Sequence, residues 1–414
     1  MTSTINPTTG ELATRVAIVR AKAATPGFEE PIAPADVDIE AWNHVGDPLA
    51  EALVEFMRDH KLMSGDFYAT ARRLQAEGEP TAEAFFADVE HIPAWVDFDA
   101  MRPGADMGRR NPIGMMMGMH GALPATYTDP ATARVMASTG RLEKGGVDFH
   151  RRFWETASGF AGALDVDGMR PGGPRWEQWV RIRLLHTMIR LGILRSGRWD
   201  LSESTPISQL ATAAATHLFG PYRVEIIRSF GGIATREEED SFALMWRWIS
   251  RIEGANTELL GTTPDEQFAV SRRIHQFLYR PDADSVALTH SLLDGLNTMR
   301  AFPLPRRGHQ AVLRRIGTAE MARTMGDVDF ADGLGVNPAP LAEFLLSLAA
   351  LGLRGFNQIT RVPLVRRAAS KHGQGLLDYV VTRGLERRTA QYRPTPVRHD
   401  PDSAKGTTSE KKSA

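Results

Sequence analysis

The segment Trp176-Glu-Gln-Trp-Val-Arg-Ile-Arg-Leu-Leu-His-Thr-Met-Ile-Arg-Leu-Gly-Ile-Leu194 carries the most telling periodicity of the chain. Ile182, His186, Ile189 and Ile193 recur at i, i+4, i+7 and i+11, which is one face of an α-helix. A lone imidazole on such an apolar stripe has two fates. It is a core residue with a buried partner, the commoner outcome on spacing alone, or it ligates haem or a metal. Arg183 and Arg190 stand about one turn to either side. They either meet anionic groups such as haem propionates or snorkel to water.

The same period extends outward over most of the chain. Candidate helices cover 47–60, 64–76, 81–91, 97–107, 130–137, 145–162, 174–195, 206–217, 221–230, 235–252, 264–279, 284–298, 307–325, 339–353 and 373–388. Thr81, Thr235 and the Pro264-Asp-Glu run supply start signals, and Gly231-Gly232 and Gly333 with Gly335 supply breaks. Alternating strand patterns are scarce. The reading is all-α: one multi-helix domain over 35–390, layered or globin-like. An aperiodic, extended arm (1–34) precedes it and a polar, disordered tail (391–414) follows.

The chain has 414 residues, 42% hydrophobic and 24% charged, which suits a globular protein and excludes wholesale disorder. It has no cysteine. Disulfides, iron–sulfur clusters, thiolate-ligated or covalently attached haem and a cysteine nucleophile are all excluded. The net charge of −1 hides an asymmetry: residues 301–414 hold 18 Lys and Arg against 10 Asp and Glu, and the first 300 hold 31 against 40. A basic C-terminal third suits nucleic acid, anionic lipid or an acidic partner, or is a solvated surface. No aromatic–basic interleaving favours nucleic acid. Residues 1–34 lack an apolar leader segment and a twin-arginine pair. The most apolar stretch, Leu341 to Leu353, is too short to span a bilayer and contains Glu343. The expectation is a cytoplasmic protein without a membrane span.

Motif searches exclude several chemistries. GxxxxGK[ST], GxSxG and HExxH are absent, and Gly333-Leu-Gly335 lacks the third glycine of a dinucleotide loop. No Glu stands three residues before a His, so the paired ExxH of a di-iron bundle is missing; Asp88-Val-Glu-His91 is a single approximation. Two other clusters stand out. In His150-Arg-Arg-Phe-Trp-Glu-Thr156, Arg152 and Thr156 share a helical face beside Phe149, Phe153 and Phe160. A cation and a hydroxyl on an aromatic surface can polarise dioxygen. Alternatively, Thr156 bonds its own backbone and Arg152 pairs with Asp148 or Glu155. The run Met115-Met-Met-Gly-Met-His120 suits core packing, a ligand pocket or an axial thioether.

Taken in order, these motifs resemble the latex clearing protein, or rubber oxygenase, catalytic-domain family of haem oxygenases. The matching stretches are Pro93-Ala-Trp-Val-Asp97 with Gly104, Tyr127-Thr-Asp-Pro-Ala with Thr139-Gly-Arg-Leu142, and Arg152-Phe-Trp-Glu-Thr156. Arg183-Leu-Leu-His186, Pro206-Ile-Ser-Gln209 and the helix Glu237–Trp248 with Gly254 complete the set, which covers roughly 40–380. The resemblance implies a globin-like helical core enclosing a noncovalent haem b (iron protoporphyrin IX). It implies His186 as the proximal ligand to the iron, with Arg152 and Thr156 in the pocket. In the family a lysine able to cap the iron precedes the motif threonine. Here that residue is Glu155, which is a poor sixth ligand and is left the role of a base. The expected activity is oxygenation of an apolar, alkene- or isoprenoid-like small molecule by dioxygen, as C=C cleavage or hydroxylation, with an unspecified electron donor. The missing export signal disfavours rubber itself. The rivals are a peroxide-using haem protein, a haem carrier or sensor with His120, His150 or a Met closing the distal side, and a cofactor-free helical interaction protein.

Overall fold

The computed structural model describes residues 10–138, 147–299, 304–324 and 330–387. Every regular element among them is a helix. The first half runs α1 (Glu11–Ala23), α2 (Ile39–Asn43), α3 (Pro48–Asp59), α4 (Phe67–Ala76), α5 (Pro80–Glu90), α6 (Arg102–Arg110), α7 (Pro112–Thr126), α8 (Pro130–Ser138) and α9 (Val147–Gly162). The second half runs α10 (Pro174–Arg195), α11 (Gln209–Phe219), α12 (Arg223–Ser229), α13 (Arg236–Ile252), α14 (Pro264–Leu278), α15 (Ala283–Asn297), α16 (Arg306–Thr324), α17 (Phe330–Gly333), α18 (Pro340–Asn357) and α19 (Pro363–Gly384).

Local chemistry explains most boundaries. Thr235 and Thr263 close capping boxes with Glu238 and Glu266 at the starts of α13 and α14, where each pair satisfies two otherwise orphaned backbone donors. The start signal at Thr81 is displaced: the Glu79 carboxylate accepts from the Ala82 amide at 3.0 Å, and Pro80 opens α5. The reading of 1–34 as an extended arm fails over 11–23. There Val16 and Val19, three residues apart, bury one face of α1 in a small core shared with α2, α11 and α14. The expected tail at 391–414 lies outside the described residues.

The run Met115–His120 falls in α7, for which amphipathic periodicity gives no signal because the helix is buried on nearly every side. A helix apolar all round belongs in the interior of a large domain, and core packing is its role. His120 lies within it, fully buried, stacked on His309 at 5.4 Å between ring centroids. Close helix contact also explains Gly104 on α6: a Cβ there would come within 2.4 Å of the Phe242 amide nitrogen on α13.

One buried ionic network ties the layers together. Arg183 on α10 donates to both oxygens of Asp47, at 2.6 and 3.0 Å, and to Asp88 on α5 at 2.7 Å. Arg251 on α13 reaches the two Asp88 oxygens at 3.1 and 2.6 Å. Asp47 also accepts from the Ala50 amide as the N-cap of α3, and Asp88 accepts from the Gly27 amide. Burial would raise the Asp88 pKa, but Arg251 and Arg183 hold it well below the ordinary carboxylate range.

Replacing Arg183 by Met strands the buried Asp47 carboxylate and leaves Asp88 with Arg251 as its remaining guanidinium partner. The expected cost is about 3–5 kcal/mol, read as a shift in the urea midpoint; a loss under about 1 kcal/mol contradicts the network's role. A second prediction concerns pH. Burial depresses His120 and His217 to about 3, and His275 and His309 to about 4. The unfolded chain takes up these protons near pH 6.5, whereas the folded chain resists until pH 3–4. Stability should therefore fall progressively as pH drops below about 6.5. Denaturation curves at pH 7.5 and 5 give the check, and a midpoint no lower at pH 5 counts against buried neutral histidines.

Candidate functional site

The face of α10 singled out by its period opens onto a cleft of about 290 Å³. Ile182, His186 and Ile189 line it from α10, and Arg152, Phe153, Glu155, Thr156 and Phe160 line it from α9. Val135 and Met136 of α8, Leu123 of α7 and Ile207, Ala211 and Phe219 around α11 complete the apolar walls. Trp179 and Trp246 form the floor, their rings 5.8 Å apart in an edge-to-face pair.

His186 is backed by a carboxylate that the sequence reading missed. Its Nδ1 lies 3.5 Å from Glu253 Oε1, and the two side chains are 35% and 9% exposed. Burial pushes the Glu253 carboxyl up to about 8. Nδ1 is the ring nitrogen turned toward this carboxyl group. A sequence signal for Glu253 did exist. It caps the C-terminus of α13, where an anion opposes the helix dipole; such a locally unfavourable choice marks a residue kept for another reason.

The Glu253 loop is held from below by the ionic network. Gly254 has φ +97°, and a Cβ there would come within 2.7 Å of Arg183 Nε and 2.8 Å of Asp47 Oδ2. Gln209 spans the same loop, donating to the Gly46 and Gly254 carbonyls at 2.9 Å each and accepting from the Asn256 amide. Gln209 and Gly254 thus build the wall behind His186, while Ile207 of the same motif faces the cleft.

The two arginines flanking His186 do not reach the cleft. Arg183 is held by Asp47 and Asp88, which satisfy a buried guanidinium better than water or a mobile anion would. Arg190 donates to the Pro206 carbonyl and to the Ile207 carbonyl, the latter at 3.1 and 2.5 Å, and lies 3.3 Å from Glu51. Its expected role at a cofactor is replaced by a mechanical one. Ile207 carries φ +50°, a left-handed conformation that costs a β-branched residue stability unless its surroundings hold it. Arg190 grips that peptide, and the Ile207 side chain lines the cleft.

On the opposite wall, Arg152 and Thr156 both line the cleft, as their shared helical face requires, and Thr156 is exposed to it. Glu155 lines it too, its carboxylate 3.0 Å from Arg151 Nε and its side chain 13% exposed. The proposed sixth ligands His120 and His150 are absent from the described lining. His120 Nδ1 faces the Met116 carbonyl at 3.3 Å, and His150 Nε2 lies 2.8 Å from the Thr298 hydroxyl. Among the described residues no group of three His, Asp or Glu side chains is arranged to hold a metal ion, and no helix is long and apolar enough to cross a membrane.

No protein-family model matches the chain, and no curated protein does. Among solved structures the chain is similar to latex clearing protein LCP in its closed state, with a TM-score of 0.62. The match covers 85% of this chain and 95% of that one at 19% sequence identity. The protein therefore has an all-α fold of the kind seen in latex clearing protein, and at that identity the likeness is one of fold.

Replacing Gly254 by Ala forces a side chain into the left-handed region and against Arg183. The expected destabilisation is about 1–3 kcal/mol from the backbone alone, measured by thermal or urea denaturation. An unchanged midpoint means that this loop is not constrained as described.

Proposed function

We propose that this chain is a haem b-dependent oxygenase acting on an apolar small molecule. One juxtaposition carries the reading: an imidazole backed by a buried carboxylate, His186 with Glu253, shares an apolar cleft with Arg152 and Thr156. The fold likeness to latex clearing protein supports it independently of these residues. The donor set would fit the group through His186, a neutral imidazole being an ordinary ligand of haem iron. It does not fit on the side once expected of Arg183 and Arg190, both committed elsewhere. Among the described lining residues Arg152 is the one Lys or Arg.

In this reading His186 would hold the iron, with the buried Glu253 carboxyl behind its Nδ1. The haem supplies the redox centre at which dioxygen is activated. Arg152 and Thr156 present a guanidinium and a hydroxyl to the cleft, donors fixed before negative charge develops there. The Glu155 carboxylate, restrained by Arg151, can take or return a proton. Ile182, Ile189, Ile207, Val135 and Leu123 bind the hydrocarbon part of the substrate and exclude water. Cleavage of a C=C bond by one dioxygen yields two carbonyls without outside electrons; hydroxylation of a C–H bond requires two electrons from a donor.

A second reading, a haem carrier or sensor without turnover, draws on Met136, whose thioether is in the same cleft wall. One experiment separates the readings. Protein from haem-supplemented expression should show a Soret band and a b-type pyridine haemochrome, and His186→Ala should abolish both with a circular-dichroism spectrum unchanged. Retention of the full haem spectrum by that variant sinks the assignment. A six-coordinate ferrous spectrum that reverts to five-coordinate in Met136→Ala selects the carrier.

A further inference from the structure

The most apolar stretch of the sequence ends up facing outward. On α18, Leu341, Phe344, Leu345, Leu348, Leu351 and Phe356 are between 51% and 73% exposed. At 100° per residue they fall within one arc of about 140°, and the residues filling its gaps are Gly352 and Gly355. The opposite side of the helix carries buried Ala350 and Asn357 against the domain. This inverts the rule for a surface helix, whose apolar face turns inward. The surface continues through the turn into α19, where Ile359, Val362 and Leu364 are 51%, 50% and 78% exposed.

Cations surround this face. Residues 340–384 contain six Lys and Arg against two Asp and Glu. Arg354, Arg361, Arg367 and Lys371 are exposed; none has a carboxylate at ion-pair distance among the described residues, whereas Arg366 is held by Glu238. At the tip, Ile359-Thr-Arg-Val-Pro-Leu-Val-Arg-Arg367 alternates exposed apolar side chains with exposed guanidinium groups. A second copy of the chain is a poor occupant, because an isologous contact sets a cationic surface against itself.

We propose that α18 and the turn leading into α19 form a peripheral docking surface for an anionic lipid bilayer. The helix is about 27 Å long, lies in the plane of the interface with its leucines and phenylalanines among the acyl chains, and leaves the arginines at the level of the anionic headgroups. It does not span. This surface is separate from the cleft and stands whether or not haem is bound there.

Co-sedimentation of the full chain with vesicles tests it. Enrichment is expected on phosphatidylcholine vesicles containing phosphatidylglycerol, with binding on the order of tenfold weaker to phosphatidylcholine alone and weakened by salt of about 0.5 M. The exposed pair Leu345→Glu with Leu348→Glu should lower binding to the anionic vesicles by at least about tenfold while leaving the melting temperature unchanged. Absence of vesicle binding overturns the proposal, as does equal binding by the double variant. A parent chain that binds no vesicles but dimerises with concentration, and whose double variant is monomeric, assigns the face to a second copy instead.

Discussion

A single aspartate sets the relation between the two helices that matter most. Asp88 is shared by Arg183 of α10 and Arg251 of α13, and Asp47 takes the remaining donors of Arg183. A buried carboxylate between two guanidinium groups tolerates little movement, since any slip leaves an uncompensated charge in a medium that solvates it poorly. His186 lies one turn beyond Arg183, and Glu253 two residues beyond Arg251. Fixing the two arginines on one acid therefore fixes the imidazole against the second carboxylate. Gly254 and Gln209 transmit the same restraint through the loop.

The cleft is accordingly divided. Its α10 side is over-determined by ion pairs and backbone hydrogen bonds, down to the grip of Arg190 on the strained peptide of Ile207. Its α9 side carries the groups with chemistry to offer, Arg152, Glu155 and Thr156, on a helix whose neighbours are aromatic. Under the proposed function this division would suit a haem site, because a ligating histidine must hold its orientation while the groups opposite it respond to charge. The outward apolar face of α18 belongs to neither side of the cleft.

Periodicity alone carried the all-α reading, and it failed where its physical basis fails. α7 is buried on nearly all sides and so has no polar face to set a phase. α1 is short, with two valines for a signature. α19 starts ten residues before its expected position, because Pro363 opens a helix whose first turns are largely exposed and bury no apolar stripe. That Arg152 and Thr156 would face the same cleft was legible in their spacing, since residues four apart on a helix share a face. Glu253 was marked locally only as an acid at a helix C-terminus, because nothing in a local pattern says which distant helix end will meet an imidazole.

By itself, then, the sequence determined the helices, the absence of thiolate chemistry, and which residues of α9 and α10 point the same way. Those are properties of composition and of the 3.6-residue repeat. Tertiary structure alone decided the fates of the charged residues. Two arginines that looked equivalent beside His186 became an ion-pair centre and a backbone clamp, and the most apolar stretch of the sequence became surface. A side chain's partner is set by what the fold brings within 3 Å, and that is a property of the packing of distant segments, which no local spacing encodes.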